Sequence, residues 1–110
     1  MATAPINRGE VYFVRLDPGE GREIRKTRPC VVVSPNELNH HLDTMIVAPM
    51  TTRGRLYPWR VRCRFRGRDG SIALDQLRTV DVQRLSKKQG ELSAEVVQRA
   101  LATLQEMFAP

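Results

Sequence analysis

Residues 59–66 constrain the fold most, because apolar and basic side chains alternate along this stretch without a break. The apolar positions are Trp59, Val61, Cys63 and Phe65, and the basic positions are Arg60, Arg62, Arg64 and Arg66. A period of two is the repeat of a β-strand, so the pattern predicts a strand with one face in a core and one basic face. The basic face has two interpretations: arginines that keep an exposed edge strand from pairing, or a surface that binds phosphates. Four like charges on one face repel each other, which favours phosphate binding.

A second strand is predicted by the apolar run Cys30–Val33, which is mostly β-branched and has a proline on each side. The run is too short for a helix, so we expect a strand that is buried on both faces. Arg28 stands at its entrance, and the proline that follows favours extended backbone there. Judged from this stretch alone, Arg28 either pairs with a nearby carboxylate or binds a ligand.

The rest of the chain contains several further short strands and one long helix. The other predicted strands cover residues 10–16, 44–50, 71–75 and 77–82, with polar loops at 22–27 and 86–90 and a turn at 67–70. One helical turn, capped by Ser34 or Asn36, is expected within residues 34–43. Ser93 is predicted to cap a helix that runs to about Phe108 and packs an apolar stripe on the sheet.

These elements predict one domain, residues 1–110, that is mainly β with a C-terminal helix. Many short strands followed by one helix favour a small, strongly bent antiparallel barrel. Both cysteines lie in apolar, strand-like settings and are expected to be reduced core residues. The chain shows no membrane-spanning run and no signal peptide, so a cytoplasmic location and no membrane partner are expected.

The charge points to a polyanionic partner. The chain has 18 Lys and Arg against 12 Asp and Glu, a net charge of +6, and a pI of about 10.1. Residues 53–68 carry seven arginines and no acid, which favours nucleic acid. His40 and His41 are neighbours without further ligands at metal-binding spacing, so we expect surface histidines, no metal and no cofactor.

Several short motifs follow one another in a fixed order along residues 8–107. They are Arg8-Gly9-Glu10-Val11, Leu16-Asp17-Pro18, Gly21-Arg22-Glu23, Arg28-Pro29, Val33-Ser34-Pro35, Pro49-Met50-Thr51-Thr52, Tyr57-Pro58, Asp69-Gly70 and Asp75-Gln76-Leu77-Arg78-Thr79-Val80-Asp81. Together with the terminal helix, this ordered set resembles the MazF/PemK-type toxins of bacterial type II toxin–antitoxin pairs. The resemblance implies an SH3-like small barrel, the CcdB/MazF-type plasmid toxin fold, and a homodimer.

The resemblance also implies an activity. Such toxins are metal-independent endoribonucleases (mRNA interferases) that cut single-stranded RNA at short sequences and thereby stop translation and growth. The ribose 2′-OH attacks the adjacent phosphate and leaves a 2′,3′-cyclic phosphate and a 5′-OH. A cognate acidic antitoxin with a disordered tail is implied as partner, lying along the RNA groove, and the toxin–antitoxin complex is expected to bind DNA.

Site residues follow from the same match. Arg28 and Thr51 match the catalytic arginine and threonine. The supporting or substrate-binding residues are Glu23, Thr52, Asp75, Gln76 and Arg78. The residues expected on the RNA backbone are Arg22, Arg25, Lys26, Arg53, Arg60, Arg62 and Arg64.

The chain departs from the family pattern at two positions. Ile24 stands where the family often has Gln, and Ala73 replaces an arginine of one branch, so Asp75 is given a supporting role only. Chemically, a guanidinium can contact two oxygens of the phosphorane while Thr51 donates a further hydrogen bond. The group that takes the 2′-OH proton stays open between Glu23, a water molecule and Arg28.

Two other functions compete with the nuclease. One is a non-catalytic toxin of the same fold that inhibits a protein target such as gyrase, because fold does not fix function. The other is a non-catalytic barrel that binds RNA or DNA, which the basic face alone would serve.

Overall fold

The computed structural model describes residues 5–53 and 56–110. Within these residues the chain forms seven strands and two helices. They are β1 (Glu10–Arg15), β2 (Thr27–Val32), α1 (Asn36–His41), β3 (Thr44–Thr51), β4 (Arg60–Phe65), β5 (Arg68–Ala73), β6 (Arg78–Asp81), β7 (Leu85–Glu91) and α2 (Ala94–Met107). Short 3₁₀ turns at 74–76 and 82–84 lie on either side of β6.

The strands form one curled antiparallel sheet in the order β4-β5-β3-β2-β1-β7, and β6 pairs with β3. The two ends of this order approach each other. Gly90 on β7 lies against the Phe65 ring, which a Cβ at position 90 would meet at 3.3 Å. Arg66 donates from Nη2 to the carbonyl oxygen of Gln89 at 2.8 Å. The sheet is therefore a half-barrel, and the predicted mainly β architecture with a C-terminal helix is confirmed.

Apolar side chains cover both faces of the sheet. Val31 belongs to the cluster that packs under α2, whereas Cys30 and Val32 belong to the cluster on the opposite face. The prediction that this strand is buried on both faces is confirmed, and Cys63 is buried as well. Ser93 caps α2 by accepting a hydrogen bond from the Val96 amide, also as predicted.

The stripe of α2 packs on the sheet along most of its length. Ala100 is buried, and Val96, Val97 and Leu104 contact the same cluster. Phe108, the C-cap of α2, is 74% exposed and belongs to neither apolar cluster.

Two predictions about loops are wrong. Residues 86–90 lie in β7 and not in a loop, because their backbone pairs with β1 while lysines 87 and 88 stay exposed. The turn after β4 is Arg66-Gly67, where both residues have positive φ (52° and 75°), and not residues 67–70. Phe65 pairs with Arg68 across it, which makes a two-residue hairpin loop. Arg66 therefore lies in the turn and not on the predicted basic face.

Two further local predictions are wrong. Neither Ser34 nor Asn36 caps α1, which has Pro35 at its N-cap without a side-chain bond. Ser34 instead accepts a bond from the Ile46 amide at 2.9 Å, which ties the helix to β3. Trp59 lies outside the core, 37% exposed, and its ring stacks on Tyr57 with centroids 5.1 Å apart.

Candidate functional site

Strand register brings Arg28 and Thr51 together. In the antiparallel pair of β2 and β3, Cys30 lies opposite Pro49. Arg28 and Thr51 each lie two residues beyond this last pair, and both residues still belong to their strands. The two residues that the resemblance marks as catalytic therefore lie at adjacent ends of neighbouring strands.

The row continues across two more strands. Thr51 pairs with Ser71 on β5, and Ser71 pairs with Arg62 on β4. Strands lie about 4.8 Å apart, so Arg62 is two spacings, about 10 Å, from Thr51. Gly70 allows β5 this close to the end of β3, because a Cβ there would lie 2.7 Å from the Thr51 carbonyl oxygen. One row thus joins Thr51 to the basic strand.

Local hydrogen bonds orient both members of the pair. The Thr51 hydroxyl accepts from the Arg53 amide at 3.0 Å and donates to its carbonyl at 3.4 Å. This is the turn-capping role that the sequence allows for a threonine at a strand end. Arg28 is exposed and donates from Nε to the Arg25 carbonyl oxygen at 3.1 Å. The rest of its guanidinium stays available for an anion.

The loop between β1 and β2 is fastened by side chains from a later part of the chain. Gln76 accepts from the Ile24 amide at 3.1 Å and donates to the Arg22 carbonyl at 3.4 Å. Arg78 donates to the Leu16 carbonyl at 2.9 Å. Gln76 and Arg78, which the resemblance makes supporting or substrate-binding residues, therefore contact the loop.

Two further contacts shape this loop. Arg84, which sequence reasoning missed, donates to the carbonyls of Arg15 at 2.9 Å and Asp17 at 2.7 Å. The Glu23 carboxylate accepts from the Glu20 amide at 2.6 Å. The loop thus has a defined shape that presents Glu23 and three exposed cations, which are Arg22, Arg25 and Lys26.

Arg60 has a carboxylate partner. Its Nε and Nη2 donate to the two oxygens of Asp75 at 2.6 and 2.9 Å, and its side chain is only 11% exposed. The guanidinium also lies over the Tyr57 ring, 5.7 Å from the centroid. The hydrogen bond from Arg60 lowers the pKa of Asp75 against the opposing effect of burial. The uninterrupted basic face expected for β4 is therefore wrong at this position, because its charge is neutralised by an acid outside the stretch.

The other arginines of β4 are exposed. Arg64 pairs with Asp69 at 3.0 Å, but both side chains are largely solvated, so the pair is weak. Arg62 forms no salt bridge with any residue in the described ranges. A groove of about 520 Å³ runs beside Thr51 and Thr52 and is lined by Arg53, Arg62, Arg64 and Arg99. Arg99 comes from α2 and was not identified from the sequence.

An apolar hollow lies on the other side of the same strand ends. Its volume is about 270 Å³, and Phe13, Pro29, Met50 and Phe65 are among its lining residues. Phe13 is 38% exposed there. Thr51 and Thr52 line both cavities, so the end of β3 lies between the basic groove and the apolar hollow.

The cysteines are unsuited to nucleophilic chemistry. Burial raises the pKa of Cys30 to about 12, and it raises the pKa of Cys63 as well. Across residues 5–53 and 56–110, no three His, Cys, Asp or Glu side chains are grouped so that they could hold a metal ion. Neither described helix has the length and apolar character needed to cross a membrane.

Fold and site together define a class of protein: a small curled β domain with an arginine and a hydroxyl at adjacent strand ends and a cationic groove beside them. Arginine and hydroxyl groups in this arrangement suit phosphate. Residues 7–108 match the family described as PemK-like, MazF-like toxin of type II toxin-antitoxin system. The chain belongs to this family.

Individual relatives agree with this membership. The chain is 35% identical over 107 residues to endoribonuclease EndoA of Bacillus subtilis (strain 168), covering 91% of each protein. It is 32% identical over 91 residues to the endoribonuclease toxin MazF of Escherichia coli (strain K12), covering 82% of each. A crystal structure of MazF from Deinococcus radiodurans superposes with a TM-score of 0.84 at 25% identity, covering 96% of this chain and 97% of that one. The predicted family and fold are confirmed.

Proposed function

We propose that this chain is the toxin of a type II toxin–antitoxin pair and acts as an endoribonuclease on single-stranded RNA. The observation that carries the proposal is that Arg28 and Thr51 lie at adjacent ends of the paired strands β2 and β3, with an arginine-lined groove beside Thr51. Two relatives more than 30% identical are named endoribonucleases, which supports the same activity.

The reaction proposed is an internal transfer within the RNA. The 2′-oxygen forms a bond to the adjacent phosphorus, and the bond from phosphorus to the 5′-oxygen breaks. The products are a 2′,3′-cyclic phosphate and a 5′-OH. Arg28 donates hydrogen bonds to two oxygens of the phosphorane. The Thr51 hydroxyl gives up its 3.4 Å bond to the Arg53 carbonyl and donates to another phosphorane oxygen.

Glu23 is the proposed acceptor of the 2′-OH proton. Arg28 holds its own proton too firmly to serve as a base. Asp75 is already bound through both oxygens by Arg60. Glu23 lies on the loop that Gln76 fastens and binds only a backbone amide among the described residues. The proton for the leaving 5′-oxygen comes from a water molecule.

The exposed cations are proposed to hold the RNA backbone. They are Arg22, Arg25, Lys26, Arg53, Arg62 and Arg64, with Thr52 as a further donor in the groove. Arg60 is not among the cations that we propose bind RNA, and we assign it the role of binding Asp75. Gln76 and Arg78 act through the loop they fasten.

An acidic antitoxin tail is the proposed protein partner. Membership in a toxin–antitoxin family supports a cognate antitoxin. Carboxylates on a disordered segment can occupy phosphate positions along a basic groove. A homodimer of this chain would lengthen that groove. If an uncleavable RNA and the antitoxin bind together without weakening each other, the shared-groove proposal is wrong.

One incubation tests the proposed activity against its rivals. Pure protein is mixed with a long single-stranded RNA in EDTA, and the product ends are analysed. Cleavage that leaves 2′,3′-cyclic phosphates supports the nuclease. Binding without cleavage supports a non-catalytic RNA-binding barrel, and neither outcome supports a toxin directed at a protein such as gyrase.

A further inference from the structure

The basic groove beside Thr51 does not end at β4. A second groove of about 410 Å³ lies between β4 and α2, where Val61, Ala102 and Thr103 are among its lining residues. Arg62 and Arg99 line both grooves. The two grooves therefore meet at this pair of arginines and form one path from the active site to the helix.

Arg99 brings a positive charge across the open edge of the sheet. Among the strands that the structure describes, β4 pairs with β5 alone. Arg99 reaches from α2 to donate from Nη2 to the Arg62 carbonyl at 3.3 Å. Both arginines are exposed, and neither forms a salt bridge with the parts of the chain that the structure describes. This distinguishes them from Arg60 and Arg64, which face Asp75 and Asp69.

Their position fits a phosphate other than the one that is cut. Arg62 is about 10 Å from Thr51 along the row, at two strand spacings of about 4.8 Å. Arg99 lies beyond it, on the far side of the β4 edge. A guanidinium at this distance is placed to bind the phosphate of a neighbouring nucleotide in the same RNA.

We infer that Arg62 and Arg99 form a second phosphate subsite, which binds the RNA backbone on one side of the cut. The inference rests on the proposed ribonuclease function and extends it, because it makes the enzyme sensitive to RNA length on that side. Besides Val61, Ala102 and Thr103, the second groove is lined by three arginines and one acid, which are Arg60, Arg62, Arg99 and Glu106. Phe13 and Phe65 line the apolar hollow instead. A charged backbone suits such a surface better than apolar anchors of a peptide.

The test compares substrates of different length. A short oligonucleotide centred on the cut sequence, taken from the long-RNA digest, is extended on its 5′ side or on its 3′ side. For the wild type, one extension should lower KM while the other has little effect. Arg99→Ala should lose most of that gain, about tenfold, with kcat on the short substrate unchanged. Its binding to the extended RNA should have a salt slope smaller by about one unit.

Two variants serve as controls. Lys87→Ala removes one exposed positive charge from β7 that lines neither groove, and should behave as the wild type. Arg99→Lys keeps the charge and should keep the salt slope while recovering part of the affinity. Unchanged thermal unfolding shows that each variant is folded.

Three results would overturn the subsite. The first is an Arg99→Ala variant that gains as much from the extension as the wild type does. The second is an equal loss on short and extended RNA, and the third is weakened antitoxin binding or dimerisation with RNA binding intact. If the wild type cuts no RNA at all, the proposed function fails instead, and the salt slope of binding to the long single-stranded RNA still tests Arg62 and Arg99.

Discussion

Arg60 and Arg62 are two residues apart on one strand, yet the structure assigns them opposite roles. Arg60 is 11% exposed and bound to Asp75 through two hydrogen bonds, whereas Arg62 is exposed in the groove. We therefore predict that Arg60→Ala reduces stability and leaves the salt dependence of RNA binding unchanged. Arg62→Ala should do the reverse.

The magnitudes follow from the contacts. Each hydrogen bond to a charged group contributes about 1.5–3 kcal/mol, but Asp75 is partly exposed and regains solvation when Arg60 is removed. We expect a net loss of about 2 kcal/mol for Arg60→Ala, which lowers Tm by about 8–15 °C in a domain of this size. Arg62→Ala should change stability by less than about 0.5 kcal/mol and lower the salt slope by about one unit.

The pH dependence gives an independent check of the same pair. The folded-state pKa of Asp75 lies below its ordinary value of 3.8, chiefly because of the Arg60 hydrogen bond. The stabilisation is therefore present above that ordinary value and is lost as pH falls through the folded pKa. In Arg60→Ala, the share of the stability loss at acidic pH that comes from protonating Asp75 should disappear.

Thermal unfolding at several pH values and RNA binding at rising salt measure both quantities. Asp75→Asn removes the charge of the carboxylate that Arg60 binds, and it should also lower Tm. An Arg60→Ala variant with unchanged Tm and a salt slope smaller by one unit would refute the reasoning. Arg60 would then be a phosphate contact, as the alternation of residues 59–66 first suggested.

Three further predictions concern the active site, its loop and the core. Arg28→Ala and Thr51→Ala should each slow RNA cleavage by about 100- to 1000-fold with thermal unfolding unchanged, because each removes a donor to the developing charge; initial rates measure this. Gln76→Ala should raise KM by about fivefold and speed hydrogen exchange at the Ile24 amide, since that amide loses its acceptor. The hydrogen bonds to buried Glu10 lower its pKa although burial itself opposes this, so Glu10→Gln should reduce stability at neutral pH and flatten its decline as pH falls below about 4.5.

Each of these predictions has a result that contradicts it. Near wild-type cutting by Arg28→Ala would remove that residue from the chemistry. Unchanged exchange at Ile24 would show that Gln76 does not hold the loop, for which Gln83→Ala, a change on an exposed side chain, is the control. An unaltered pH profile in Glu10→Gln would mean that the carboxylate contributes nothing as an ion.

The sequence predicted elements well where the pattern is local. The alternation along residues 59–66 predicts a strand, and Ser93 predicts the start of a helix, because both signals lie within a few residues. The prediction failed at β7, because its side chains have the composition of a charged loop although its backbone pairs with β1. It also failed at Arg66-Gly67, since a non-glycine residue with positive φ gives little signal.

The site was harder to predict, because its contacts join distant parts of the chain. Arg28 and Thr51 came from a family resemblance, and the pairing of β2 with β3 brings their strand ends together. The bond from Arg60 to Asp75 spans 15 residues, and the one from Arg99 to Arg62 spans 37. Periodic patterns in the sequence do not indicate contacts between residues so far apart in the chain.

The central claim is that this chain cuts RNA through the ribose 2′-OH, with Arg28 and Thr51 at the phosphate. The most direct measurement replaces the single 2′-OH at the cut position with 2′-deoxy in an otherwise unchanged oligonucleotide. We predict that cleavage stops while binding stays within about twofold, because the nucleophile is lost and every phosphate remains. Continued cleavage at the deoxy position, or cleavage of an all-DNA strand, would contradict the mechanism.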